Sequence, residues 1–192
     1  MASQGDNRVN ILNSALALFA SRGYDAVGVQ EIVESAGVTK PTLYHYFGNK
    51  LGLLETLLKE NFVGLNAALD IAAAYDHDIT HTLNQITTAY FQYVQAHRVF
   101  YRLQLSLWFA PPHSEAHLAV VKFQERQQQA LETLFQRAAG DHGNMRGRHQ
   151  AYAATFLGML NTYIGLALND YLELNDELVY KAVHQFMHGI FS

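Results

Sequence analysis

The chain has no cysteine, so neither a disulfide nor a thiolate metal site contributes to its fold or chemistry. Proline is nearly as scarce, with three in 192 residues, which leaves room for long uninterrupted helices. Charged residues make up only 16% of the chain against 49% hydrophobic ones, a balance that argues against wholesale disorder and supplies a sizeable core. The net charge of -4 argues against a nonspecific polycation, because nonspecific affinity for nucleic acid grows with the basic groups set against phosphate. The first residues lack the basic start and apolar run of a signal peptide, and no uncharged apolar stretch reads as long enough to span a membrane. The expected compartment is the cytoplasm, with no membrane partner. Internal repeats and low-complexity segments are also missing.

What the chain does have is helical apolar periodicity and many rings: eleven Tyr, eleven Phe and one Trp, suited to a helical core or a ligand cavity. Val9, Leu12, Ala15, Leu16 and Phe19 recur on one stripe and predict a helix over 8–21, with Asp6 or Asn7 as its cap and Gly23 as its end. Gly28 stands at the next N-cap with Glu31 three residues on, but glycine has no side-chain acceptor, so that helix starts less firmly. Ile32, Val33, Ala36 and Val38 turn inward around Gly37. Thr39 is the expected cap of the following helix, and Pro41 falls in its first turn, where a missing N–H costs little. Lys50 opens a long helix running toward Ala74. Further helices are predicted at 78–96, 98–110, 114–139, 148–170 and 175–190, with stops at Pro111-Pro112 and in the polar loop Gly140-Asp141-His142-Gly143-Asn144. The expected fold is all-α. Residues 1–50 form a three-helix, helix-turn-helix head and residues 51–192 a larger ligand-binding and dimerisation domain, with helix 50–74 as the connector.

Residues 29–47 read as two short helices joined by a tight turn, the geometry by which a small domain sets one helix into the major groove of DNA. Between Ser35 and Leu54 there are Lys40 and Lys50 and no acidic residue. Lys40 and Thr42 offer donors for base edges, and the Thr42 methyl or the Pro41 ring suits a thymine methyl. Tyr44 and His45 can hold backbone oxygens, and Lys50 with the free N–H groups of its helix start can clamp one phosphate. Each residue also has a plainer use: Thr39 as a cap alone, Pro41 as a helix start, Tyr44 as a half-buried ring, His45 as a solvated side chain. One short helix buries too little area for tight specific binding, so two copies about one helical turn apart on a near-palindromic site are expected.

Ile11-Leu12 with Ala15 and Phe19, Gly23-Tyr24, Ile32, Ala36-Gly37-Val38, Thr42-Leu43-Tyr44, His45-Tyr46-Phe47 and Lys50 follow one another in an order that resembles the N-terminal DNA-binding domain of the TetR family of bacterial transcriptional regulators. The resemblance runs from residue 8 to 58, about a quarter of the chain. It implies an all-helical homodimer whose reading heads are spread or closed by a ligand entering the C-terminal domain. It also implies base contacts for Lys40, Pro41 and Thr42, groove and backbone contacts for Tyr44 and His45, and a phosphate contact for Lys50; Thr39 is counted with them as a candidate DNA contact. Gly28 departs from the usual serine or threonine, and Gln30 is the candidate to replace the lost backbone contact.

In the C-terminal part, Tyr90, Tyr93, Tyr101, Gln104, Leu105, Trp108, Phe123, Phe156 and Asn161 are the expected lining of a cavity for a small apolar or aromatic effector, with plain core packing as the alternative. The last two helices are poor in charge. Phe156, Leu160, Tyr163, Ile164, Leu168, Val179, Val183, Phe186, Met187 and Ile190 are the expected homodimer interface, with burial inside one chain as the competing explanation. Histidines stand four apart at His77/His81, His113/His117 and His184/His188, but a pair supplies two metal ligands only, so neither a metal nor a cofactor is expected. The expected function is a ligand-responsive homodimeric repressor of transcription on double-stranded operator DNA. An activator of the same fold is the alternative, and a structural helical dimer or an enzyme are more distant ones. A hydrolase would draw on Asp76, His77 and His81 or on Glu115 and His117, with no evident activated nucleophile.

Overall fold

Ile11, Ala15 and Phe19 recur every fourth residue and are fully buried, which fixes the face that the first helix, α1 (Gln4–Arg22), turns inward. Val9, expected on that stripe, is 50% exposed, because two residues before Ile11 is about 200° around a helix. Asp6 and Asn7 lie within the first turns of α1 rather than capping it. A computed structural model describes residues 4–189, and all regular structure among them is helical. The helices that follow are α2 (Val29–Ala36), α3 (Lys40–Phe47), α4 (Lys50–Ala72), α5 (Ile79–Ala96), α6 (Arg98–Trp108), α7 (Glu115–Asp141), α8 (His149–Leu168) and α9 (Asp176–His188), with a 3-10 turn at Gly143–Met145.

The chain divides into two compact units, Met1–Val63 with Val99–Phe123, and Gly64–Arg98 with Gln124–Ser192. The first holds the expected reading head. Ile32 and Val33 of α2, Leu43 and Phe47 of α3, and Leu53, Leu54, Leu57 and Leu58 of α4 join the α1 stripe in its core. Phe62 meets Phe100 edge-on at 5.3 Å and stacks on Phe123 at 4.5 Å. The turn between α2 and α3 is fixed by Gly37, whose φ of 66° lies in the left-handed region open to glycine, while the Val38 N–H closes back on the Val33 carbonyl at 2.9 Å. A second glycine sets the α3–α4 corner. A Cβ on Gly52 would fall on the carbonyl oxygen of Phe47, and the Gly52 N–H donates to Asn49 Oδ1 at 2.7 Å.

In the second unit, Ile79, Leu83, Ile86, Tyr90 and Val94 of α5 form one buried face and Phe156, Leu160 and Ile164 of α8 another. Phe156 lies 6.4 Å from Phe135 and 5.1 Å from Phe186, ring to ring. Asp78 caps α5 by accepting from the His81 N–H, and Asn175 caps α9 by accepting from that of Leu178, each at 2.9 Å. The polar loop expected from Gly140 begins later, because α7 runs on to Asp141. Its carboxylate there accepts from the Tyr75 hydroxyl at 2.6 Å and meets His77 Nδ1 at 3.0 Å.

α8 overturns the expectation that no stretch reaches membrane-spanning length. It has twenty residues, a mean hydropathy of 1.3 in its most apolar window, and enough length and apolarity to cross a membrane by those criteria alone. Its Phe156–Leu160–Ile164 stripe is buried in the core, and 39% of that window is buried in all.

Candidate nucleic-acid interface

α3 is eight residues long, and its two buried side chains, Leu43 and Phe47, lie four apart on one face. Lys40, Pro41, Tyr44 and His45 are consequently exposed, Tyr44 by 45%, and Thr42 and Tyr46 are half-buried. Lys40 has no hydrogen-bonding or ionic partner among the described residues, so its ammonium stands open at the start of the helix. Thr39 occupies the N-cap in extended conformation, but its hydroxyl does not cap. It pairs with the Thr42 hydroxyl at 2.9 Å instead, so the two side chains orient each other on the outward face.

The remaining expected contacts are engaged within the chain. The Gln30 amide donates to Glu34 Oε1 at 2.6 Å, along α2. Gly28 has φ -90° and ψ 155° with open space where a Cβ would be, so nothing replaces the missing cap hydroxyl but nothing would obstruct one. Lys50 Nζ donates to the carbonyls of Tyr24 and Val27 at 3.1 Å each and lies 4.1 Å from the centre of the Tyr24 ring. Arg8 pairs with Glu60 and Arg22 with Glu31, which reduces the positive charge around the head to a few open ammonium groups. Sequence reasoning missed the Tyr24 and Val27 carbonyls as partners of Lys50, since no periodicity marks a backbone acceptor.

The expected ligand residues fall into two sets. Tyr101, Gln104, Leu105, Trp108 and Phe123 belong to the first unit, and Tyr90, Tyr93, Phe156 and Asn161 to the second. Tyr101 and Gln104 are buried, and Trp108 stacks on His117 at 5.6 Å. Tyr90 is fully buried and donates to Gln127 Oε1 at 2.5 Å, and burial pushes its hydroxyl well above the ordinary tyrosine range. Burial does the same to Tyr93, which stacks on His97 at 4.4 Å. Gln124 and Gln127, both buried and three apart on α7, were missed; two amides on an otherwise apolar face were the available signal. Phe123 and Phe156, both expected in the cavity lining, pack instead against other rings, one on Phe62 and the other beside Phe135 and Phe186.

The expected interface needs a larger correction. Phe156, Leu160, Ile164, Leu168, Val179 and Val183 are buried inside the single chain, so a second copy cannot reach them. Tyr163, Phe186 and Met187 remain half-exposed, and Ile190 lies outside the described residues. The outer side of α8 instead borders a groove of about 550 Å³ with α9, lined by Ala151, Thr155, Met159, Thr162, Tyr163 and Phe186 among others. Among the described residues no three His, Cys, Asp or Glu groups are disposed to hold a metal. The residues considered for hydrolysis have other partners. Glu115 accepts from the Tyr24 hydroxyl at 2.9 Å, His77 Nδ1 meets Asp141 at 3.0 Å, and His117 Nδ1 lies 3.2 Å from the Trp108 carbonyl oxygen.

Residues 11–57 match the family model described as bacterial regulatory proteins, tetR family. The chain is 33% identical over 98 residues to the HTH-type transcriptional activator FasR of Mycolicibacterium smegmatis, a match covering 51% of this chain and 45% of that protein. It superposes on the TetR-family regulator PfmR of Thermus thermophilus with a TM-score of 0.75 at 24% identity, over 95% of this chain and 96% of the other. The head of the chain, residues 11–57, is of the TetR family. The HTH-type transcriptional repressor KstR of M. smegmatis is 38% identical over 71 residues, 37% of this chain and 35% of that one. The regulator FadR of Bacillus subtilis, solved in complex with stearoyl-CoA, shares this TetR-family fold with a TM-score of 0.78 at 19% identity, covering 95% and 98% of the two chains. The chain spans less than half the length of the two curated relatives.

Proposed function

We propose that this chain, with its TetR-family head, is a ligand-responsive, homodimeric transcription regulator of the cytoplasm, a repressor that leaves a near-palindromic operator when a small apolar or aromatic effector binds. The observation that carries the reading is the outward side of α3. Leu43 and Phe47 anchor the helix from within, and Lys40, Thr42, Tyr44 and His45 remain available to a groove. In this reading residues 1–50 contact DNA, residues 51–192 bind the effector and pair, and α4 connects them. Two copies are needed because eight residues of helix bury too little area for tight specific binding. The outer side of α8, with Thr155, Met159 and Thr162, is the surface we assign to the second copy, since the more apolar residues of α8 and α9 are already covered.

The effector acts through differential affinity: a ligand that favours the head spacing unable to span two half-sites shifts the population off DNA. Tyr90 and Gln127 supply a buried hydroxyl–amide pair of the kind that orients an apolar ligand. Because FadR holds stearoyl-CoA, a long-chain acyl thioester is the first probe, with an aromatic acid as the second. The activator FasR supports a second reading in which the same head stimulates transcription. Operator position, not head geometry, separates the two.

Selection of duplexes from a random library tests the assignment. The expected product is a two-fold symmetric site whose affinity falls steeply with salt. Failure to enrich any duplex would overturn it.

A further inference from the structure

Tyr24 follows the end of α1 and is 3% exposed, packed 5.2 Å from the Phe19 ring. It makes two polar connections in opposite directions. Its ring and its carbonyl hold the Lys50 ammonium, with the Val27 carbonyl as the third support. Its hydroxyl donates to Glu115 Oε2 at 2.9 Å, a residue 91 positions away that opens α7. Both connections lie within the first unit. Burial, and then the hydrogen bond to Glu115, push the Tyr24 hydroxyl above the ordinary tyrosine range, so it stays a donor at all physiological pH. Glu115 is in turn held in place by the positive end of α7, where a carboxylate in the first turn is favoured.

We propose that Tyr24 is a positioning residue for Lys50 and that Glu115, at the first turn of α7, governs how firmly it performs that role. The inference rests on the reading of Lys50 as a phosphate ligand and adds a control on it. A shift of the first turn of α7 by more than the slack of a hydrogen bond, about 0.5 Å, takes the carboxylate out of reach of the hydroxyl. A buried hydroxyl without its acceptor loosens the Tyr24–Val27 turn, and that turn carries both carbonyls on which the ammonium rests. A displacement at the α6–α7 corner is thereby converted into a change in how one phosphate is held, without any contact between that corner and DNA.

Double-mutant cycles on the full chain test this, using the duplex enriched by selection and an unrelated duplex of equal length. Lys50→Ala should weaken both to similar extents and lower the salt slope by about one. Tyr24→Phe keeps the ring and removes the hydroxyl, and Glu115→Ala removes its acceptor. Each should weaken both duplexes by about 3- to 10-fold, the scale of one lost hydrogen bond to a charged group transmitted in part. Glu115→Gln, which retains an acceptor, should lose less. In the Lys50→Ala background neither Tyr24→Phe nor Glu115→Ala should have a further effect. Equal losses with and without Lys50, or no loss at all, would overturn the inference. Glu115 is exposed, so its variants remain informative if Tyr24→Phe unfolds. Should the unaltered chain bind no duplex, the regulator reading itself fails and takes this one with it. If the unaltered chain binds and the variants match it, only the positioning role fails.

Discussion

Gly52→Ala sets two physical effects against each other with opposite signs. Helix propensity alone favours alanine over glycine by about 1 kcal/mol inside a helix, and Gly52 lies in the first turn of α4. Position argues the other way. The added methyl would fall on the Phe47 carbonyl oxygen, a backbone atom that already accepts from the Asn49 N–H at 2.9 Å. The Gly52 N–H is itself held by Asn49 Oδ1 at 2.7 Å, so relief requires moving the whole α3–α4 corner. Overpacking against an unyielding neighbour costs about 1–3 kcal/mol, and where backbone must move the upper end applies, so the net effect is a loss of about 2 kcal/mol. For a chain of this size that lowers Tm by about 4–8 °C. Gly140→Ala is the matched control, since nothing lies within 4 Å of its Cβ position and propensity acts unopposed. Circular-dichroism melts at equal concentration should move the two variants in opposite directions. Because α3 hangs from that corner, Gly52→Ala should also weaken the selected duplex. A Gly52→Ala chain as stable as the parent would refute the steric argument, and with it the claim that this corner fixes the angle of α3.

Other outcomes follow from single observations. Gly28→Ser places a hydroxyl in open space at the N-cap of α2, so stability should rise by a few tenths of a kcal/mol and duplex affinity should increase. Higher stability with unchanged affinity in an anisotropy titration would assign that hydroxyl to capping alone. Hydrogen bonds from Tyr75 and then His77 hold the Asp141 carboxyl below the ordinary carboxylate range. Its contribution is therefore complete above the unfolded value and lost as pH falls through the lower folded one. Tyr75, pushed up to about 12 by burial and then by Asp141, contributes in the opposite sense, fully below the ordinary tyrosine value and less as pH rises through about 12. Asp141→Asn should flatten the acid side of a Tm-against-pH curve, and superimposable curves would refute the linkage. Met159→Glu charges the groove beside α8 and should give monomers that bind the operator poorly, whereas Leu160→Glu buries a carboxylate and should unfold the chain. Sedimentation of Met159→Glu as a dimer would move the interface elsewhere.

The reading head was legible because its signals are local. Leu43 and Phe47 four apart, with Gly37 before them, determine which sides of α3 face out, and no distant residue is needed to know it. Lys50 was legible as a cation at a helix start and illegible as a donor to Tyr24 and Val27, because polar contacts across more than twenty residues leave no periodic trace. α8 shows the same limit in apolar form. Apolarity singles out Phe156, Leu160 and Ile164 as a surface that must be covered, and it is covered, by the chain's own α7 and α9 rings. Periodicity identifies a face needing a partner without saying whose atoms supply it. The stripe we assign to a second copy is then the less apolar one, Ala151, Thr155, Met159 and Thr162, because intrachain packing is always available and takes the stronger face first. On a helix with two apolar sides, the weaker side is therefore the place to look for the other subunit.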